Sequence, residues 1–279
     1  MADCIVPVLM YHHVRPGAGM IAVTPEHFED QLRWLSYRGY RTLSTAEFIR
    51  HLQYGGAPRR SVLITFDDGY LDNWVYAAPL LRRYSMRATV FVVTGWVGDG
   101  PTRPQLNGHD PLPDTPEHRE CEQRIAAGYA DEVVLRWSEI LAMRDQGVME
   151  FHSHTHTHTR WDLLDAATKN VQMRAELAQS KNCLRQRLGE ASDQLCWPQG
   201  YFDEDYIRLA KEAGFRYLYT TRAFGRNRPG TDPSSIFRFA VRNTGGASFG
   251  RRVQVATNPV LAPMFNGWKR WKRGLSYED

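Results

Sequence analysis

Apolar residues fall into two alternating patterns along this chain. Residues 5–11, 61–66 (SVLITF) and 88–93 (ATVFVV) are short unbroken runs rich in β-branched types, the signature of strands buried on both faces. Between them, Thr24 and Pro25 open a helix that carries Phe28, Leu32 and Leu35 on one face and stops at Gly39. Ser44 and Glu47 have capping-box spacing and start a second helix, and residues 70–84 read as a third. The pattern then breaks over 95–130, which holds five prolines and few apolar residues, an insertion longer than most loops. Periodicity resumes with a helix at 137–146, a strand at 148–151, a helix at 161–188, a strand at 194–197, a helix at 204–213 closed by Gly214, and a strand at 217–220. Strands alternating with helices predict an α/β fold on a parallel sheet, open or closed into a barrel. One domain over 1–257, with the 95–130 insertion, precedes a tail at 258–279.

Composition narrows the classes. A 42% hydrophobic and 24% charged chain of 279 residues is that of a globular protein with a sizeable core. A formal net charge of +4 is too small to argue for a nucleic-acid partner, and none is expected. No apolar run approaches the ~18 residues that a membrane span needs. Cys4, Cys121, Cys183 and Cys196 form no CxxC pair, so free thiols in a reducing compartment are expected. The opening MADCIVPVLMYHHV runs straight into a strand without a basic, then apolar, leader, so a cytoplasmic location is expected.

Two stretches carry chemistry. Thr65-Phe66-Asp67-Asp68-Gly69-Tyr70 follows a strand directly, where α/β folds place functional groups. Adjacent carboxylates there repel unless a cation or proton intervenes, although Asp-Gly is also a common turn dipeptide. The second stretch, HSHTHTH, places His152, His154, His156 and His158 at strict alternation. In an extended strand all four face one way; in a turn, residues four apart meet, pairing His154 with His158 or His152 with His156. A metal-storage tract, a half-buried strand edge and a ligand segment all fit the run alone. A carboxylate with two imidazoles makes a three-ligand metal site with positions left open.

The pair of stretches, TFDDG and SHTHTH, resembles the first two motifs of the carbohydrate esterase family 4 polysaccharide deacetylases, the NodB homology domain. PVLMYHHV near the start and WPQGYFDEDYIRLAKEAGF after Cys196 extend the likeness over residues 5–220. It implies a single-domain distorted (β/α) barrel. By matching position it implies Asp67 as general base and Asp68, His154 and His158 as ligands of one divalent metal, with zinc the expected ion. His152 and His156 fall on non-ligand positions. Many members take their general acid from a histidine late in the domain, but this chain has none after His158. Poly-N-acetylglucosamine deacetylases carry it instead in an N-terminal Tyr-His motif. Tyr11-His12-His13 matches that subgroup, giving His12 as the acid and His13 as the disfavoured neighbour on the opposite strand face. The third motif also departs: Cys196 stands where the commoner pattern has an arginine that orients the base, and the chain's own means of orienting Asp67 is left open. Tyr70, Trp197 and Tyr201 are expected to contact the sugar.

The likeness implies hydrolytic N-deacetylation of an N-acetylhexosamine. Alternatives are an O-deacetylase or amidohydrolase acting on a small acylated compound, and a non-catalytic metal- or glycan-binding protein with a degenerate site, which the missing arginine favours. The tail interleaves Trp268 and Trp271 with Lys269, Arg270, Lys272 and Arg273, a composition suited to a solvated basic end or to peripheral contact with anionic lipid. With the expected location, it suggests a lipid-linked or glycan acceptor at the inner membrane face.

Overall fold

The computed structural model describes residues 4–258 apart from 191 and 224, together with 261, 264 and 267. Trp268, Lys269, Arg270, Trp271, Lys272 and Arg273, on which the expected membrane contact rests, lie outside the described residues. No helix among the described residues is long and apolar enough to cross a membrane.

The chain begins with β1 (Val8–Tyr11), then a small parallel pair, β2 (His13–Val14) with β3 (Ala22–Val23). Helix α1 (Pro25–Tyr37) has Thr24 as its N-cap, and Gly39 follows its last turn at φ +70°. After β4 (Arg41–Thr42), α2 (Thr45–Tyr54) opens with the expected reciprocal capping box of Ser44 and Glu47. The fully buried β5 (Ser61–Phe66) leads through a wide turn at Asn73–Ala77 into α3 (Ala78–Arg83), and β6 (Ala88–Val92) follows. The insertion has structure of its own, contrary to its loop-like composition: it contains α4 (His118–Ala126). Its Arg103 is clamped by the fully buried Glu139 at 2.7 Å and by the carbonyls of Asp131 and Val134. Helix α5 (Trp137–Asp145) and β7 (Met149–Ser153) come next. Helix α6 (Ala166–Leu188) starts later than its periodicity suggests, because Asp165 caps it and residues 161–163 form a separate tight turn. Then come β8 (Gln194–Cys196), α7 (Glu204–Glu212), β9 (Tyr217–Tyr219), β10 (Phe239–Ala240) and α8 (Gly246–Thr257).

The strands run parallel in the order β10-β1-β5-β6-β7-β8-β9, with β4 also on β5. Ile236, just before β10, bridges to Tyr219 of β9, and Phe239 then pairs with Leu9 of β1. That crossing links the two sheet edges and makes the structure a distorted barrel. Period-2 alternation sorts the strand residues. Val62, Ile64 and Phe66 face outward into the large core under the helices. Leu63 faces inward with Val8, Phe91 and Tyr219, and Phe48 and Leu52 of α2 plug that inner core. On the same inward face of β5, Thr65 follows Leu63 and Asp67 comes next. The parallel arrangement brings the C-terminal ends of β1, β5, β7 and β8 to one mouth, carrying His12, Asp67, His154 and Cys196.

Candidate metal centre and active site

Asp67 and Asp68 share a sharp exit from β5. Asp68 and Gly69 have φ of +72° and +78°, which turns the second carboxylate away from the first. Asp68 bears the strained conformation as a non-glycine residue, a cost of order 1–3 kcal/mol. A Cβ on Gly69 would lie 2.9 Å from Val92 Cγ1, so both space and backbone demand glycine there.

Strand β7 ends at Ser153, and this breaks the alternating histidines into separate fates. His152 points into the barrel, where Ser192 Oγ (2.6 Å) and Thr45 Oγ1 (3.2 Å) meet its two ring nitrogens. His154 stands at the mouth. Beyond it the backbone turns, with Thr155 and His158 at φ of +66° and +63°. Glu176 of α6, 4% exposed, accepts from the backbone N–H groups of His156 and Thr157 at 2.8 Å each and fixes that turn. His156 is drawn aside to Thr94 Oγ1 at 2.9 Å. His158 folds back so that its ring centroid lies 5.1 Å from that of His154, and Trp96 packs over its other side at 5.3 Å. The four-apart geometry is thus realised for His154 and His158 alone.

These two imidazoles present Nε2 to Asp68 Oδ1 at 3.3 and 3.4 Å. His154 Nδ1 donates to the Cys196 carbonyl at 2.8 Å, which leaves Nε2 to face the carboxylate; burial opposes charge on this ring, but Cys196 and Asp68 raise its pKa well above the ordinary value. Asp68 Oδ1 is buried and has no hydrogen-bond partner. Imidazole nitrogens converging on a buried carboxylate oxygen need a proton or a metal cation between them. The donor set therefore fits a divalent metal, and two imidazoles with one carboxylate suit zinc among others. Burial opposes the charge on Asp68, but His154 and His158 hold the carboxyl well below the usual range. Burial pushes His158 down to about 4, leaving a neutral imidazole, as ligation requires. A second trio, Asp67, His154 and Cys196, also falls within ligand range. It is the poorer nest, because burial pushes the Cys196 thiol up and Asp67 is already engaged.

Arg238 engages it. The side chain is 1% exposed, yet it reaches Asp67 through Nη1–H···Oδ1 at 2.6 Å and Nη2–H···Oδ2 at 2.8 Å. Its Nη2 also donates to Cys196 Sγ at 3.0 Å, and its Nε to the Thr220 carbonyl. Burial alone would raise Asp67; the Arg238 guanidinium reverses this and holds the carboxyl below its ordinary value. The arginine absent from position 196 is thus supplied from residue 238, and Cys196 leaves room for it. Arg238 lies past residue 220, where the predicted elements and the family likeness end, and it was not among the expected site residues. The available signal was a cation inside the apolar run SSIFRFAV.

His12 Nε2 lies 3.8 Å from Asp67 Oδ2. Burial lowers its pKa, partly opposed by Asp67 and Asp68, so the resting imidazole is neutral at pH 7. A cavity of about 220 Å³ opens over these groups, bordered by His12, Asp67, Asp68, His154, His158 and Tyr70. Tyr70 is 1% exposed and stacks on the His13 ring at 3.9 Å. The other two expected sugar contacts stand differently. Trp197 borders the cavity but exposes no surface, being stacked with Phe202 and Tyr206 in the core under α6 and α7. Tyr201 is half exposed, lies outside the cavity lining and carries Arg160 over its ring at 3.3 Å. All four cysteines are free thiols.

Comparison with known proteins bears on the family and the fold. Residues 54–218, more than half of the chain, match the family model described as polysaccharide deacetylase. The Staphylococcus aureus (strain MSSA476) protein named poly-beta-1,6-N-acetyl-D-glucosamine N-deacetylase is 27% identical over 208 residues, covering 71% of this chain and 61% of that protein. YxkH of Bacillus subtilis (strain 168) is 27% identical over 216 residues, covering 77% of this chain and 64% of YxkH. The chain therefore spans less than two thirds of the length of these curated relatives. Among solved structures, Streptococcus pyogenes deacetylase PplD in complex with acetate superposes with TM-score 0.72 at 22% identity, over 92% of this chain and all of PplD. IcaB from Ammonifex degensii gives 0.71 at 23%, over 91% and 98%. Both share the fold.

Proposed function

The chain belongs to the polysaccharide deacetylase family, and from that premise we propose that it hydrolyses the acetamide of an N-acetylhexosamine within a glycan. The observation that carries the reading is the side-by-side placement of an orphaned Asp68–His154–His158 cluster, an arginine-fixed carboxylate and a neutral imidazole around one cavity. Asp68, His154 and His158 would hold a divalent cation, which when bound supplies Lewis acidity toward the amide carbonyl and the attacking water. Asp67 takes a proton from that water. Its pKa is held low, so the proton does not rest there, and His12 at 3.8 Å is the stronger base to receive it. His12 then protonates the departing amine nitrogen, which is too basic to leave unassisted. The bidentate guanidinium keeps Asp67 aimed during both transfers.

The experiment is acetate release from N-acetylglucosamine oligosaccharides, measured with bound metal for wild type, Asp67→Ala and His154→Ala. One metal per chain, lost in His154→Ala and kept in Asp67→Ala, with acetate release abolished in both, is expected. A stoichiometry above one that ignores His154→Ala sinks the reading.

The basic aromatic residues 268–273 support a finer proposal, that the acceptor is presented at an anionic membrane surface on the cytoplasmic side. Deleting residues 265–279 should then weaken turnover of a lipid-linked N-acetylated sugar in anionic vesicles while sparing a soluble oligosaccharide. Equal loss on both substrates, or on neither, defeats it.

A further inference from the structure

The inserted segment brings two groups to the cavity that the mechanism above does not use. His118 and Glu122, successive turns of α4, both border it. Behind His118 lies a buried chain of contacts. His13, fully buried, places Nδ1 2.6 Å from Asp72 Oδ2, while Asp72 Oδ1 accepts from the backbone N–H of Val14 and from Asn73 Nδ2. A carboxylate only accepts, so His13 carries a proton on Nδ1. His118 Nδ1 lies 3.3 Å from both His13 Nε2 and the Tyr70 hydroxyl oxygen, which hold the ring from behind. His118 Nε2 is the ring nitrogen left on the Glu122 side. Burial, with His13 beside it, pushes His118 below its ordinary pKa against the pull of Glu122 and Asp68, which keeps the ring neutral. Its near neighbour is Glu122 Oε1 at 3.6 Å, an acceptor on a side chain 57% exposed. An imidazole nitrogen and a carboxylate thus stand together at the cavity wall, and hydroxyl groups, which both donate and accept, suit the pair.

Resting on the deacetylase reading, we propose that His118 Nε2 and Glu122 form a subsite that exchanges hydrogen bonds with the hydroxyls of the acetamido sugar, with His13 and Asp72 as positioning residues that hold the His118 ring. The subsite selects a polyhydroxylated acceptor over a plain acylated compound. It also makes the insertion the carrier of specificity, separate from the strand ends that carry the chemistry.

Steady-state kinetics of the metal-loaded protein on an N-acetylglucosamine oligosaccharide and on a simple aryl acetate, which has no hydroxyl donors, test this. For Glu122→Gln and His118→Ala, KM for the oligosaccharide should rise about 10- to 100-fold, the range of a hydrogen bond to a charged or buried partner, with kcat within about threefold. Asp72→Asn, which weakens the hold on the His13 ring behind His118, should raise KM in the same substrate-dependent way. Unchanged KM in Glu122→Gln overturns the proposal; this exposed residue is a substitution that folding tolerates. Parallel losses on the aryl acetate mark a structural role and overturn it too. A wild-type protein that cleaves the aryl acetate but no N-acetylglucosamine oligosaccharide overturns the deacetylase reading itself, and the subsite with it.

Discussion

Arg238 and Asp67 lie 171 residues apart in sequence and face each other through two parallel hydrogen bonds, buried from solvent on both sides. A buried carboxylate left without that partner would stop being a carboxylate near neutral pH. The ion pair is therefore a condition for a base at this position.

Replacing Arg238 tests this. In Arg238→Met, burial is left as the dominant influence on Asp67, so its pKa rises. A base is active only when ionised, and the acid limb of the kcat/KM profile should move to higher pH. Breaking such a buried pair also costs about 3–5 kcal/mol of stability, read from urea unfolding. Arg238→Lys keeps the charge and should shift the limb less. An acid limb that stays put in Arg238→Met refutes the role.

His12 is expected to matter through its proton. His12→Gln should lower kcat on an N-acetylated sugar by about 10²–10⁴-fold and leave bound metal unchanged. An aryl acetate, whose phenolate leaves without a proton, should lose far less. Equal losses on the two substrates would remove His12 from the leaving-group step.

Gly95 is a steric test of the ligand turn. A Cβ there would meet the His156 carbonyl oxygen at 2.5 Å and push on the turn that brings His158 back to His154. Gly95→Ala should weaken metal affinity by about 10–100-fold, the usual scale for a disturbed ligand support, as measured by competition with a chromophoric chelator. Wild-type affinity in this variant would show that the turn yields freely.

His152 predicts a pH-dependent stability. Burial lowers its pKa from 6.5 to about 3. Between those values the unfolded chain binds a proton that the folded chain excludes. Its contribution is thus intact above pH 6.5 and is lost as pH falls, at up to about 1.4 kcal/mol per unit. His152→Gln, which cannot titrate, should flatten the decline in unfolding free energy between pH 7 and 4.5, read from urea titrations, by about 2–3 kcal/mol. Parallel curves for the two proteins would assign the decline to other groups.

Much of the parallel sheet was legible in the sequence, because strand burial writes itself as apolar runs, whereas the barrel and the roles at its mouth were implied by the family likeness of the Asp-Asp and His-Thr-His stretches. The histidine run was legible only in outline. Its alternation promises a strand, but the strand stops at Ser153, and the turn that follows depends on Glu176, a distant helix residue with no local signature. Trp197 reads as a sugar platform by residue type, whereas its neighbours Phe202 and Tyr206 claim its faces for the core. Arg238 was hidden for a similar reason: β10 is two residues long and has no period to detect. The insertion's composition signals a loop, and its helix α4 is held by Cys121, buried with Tyr70, Val133 and Val134, contacts that propensity does not register.

The pairing of Leu9 with Phe239 makes neighbours of β1, which leads to His12, and β10, which follows Arg238. Linear order along the gene is therefore nearly arbitrary for this site. A rearranged coding sequence that joined these two strands and opened the chain elsewhere on the barrel's far rim would list the same side chains in a new order and still bring them to the same mouth. Kinship among such proteins is better sought in the ring of strand ends than in the sequence of motifs.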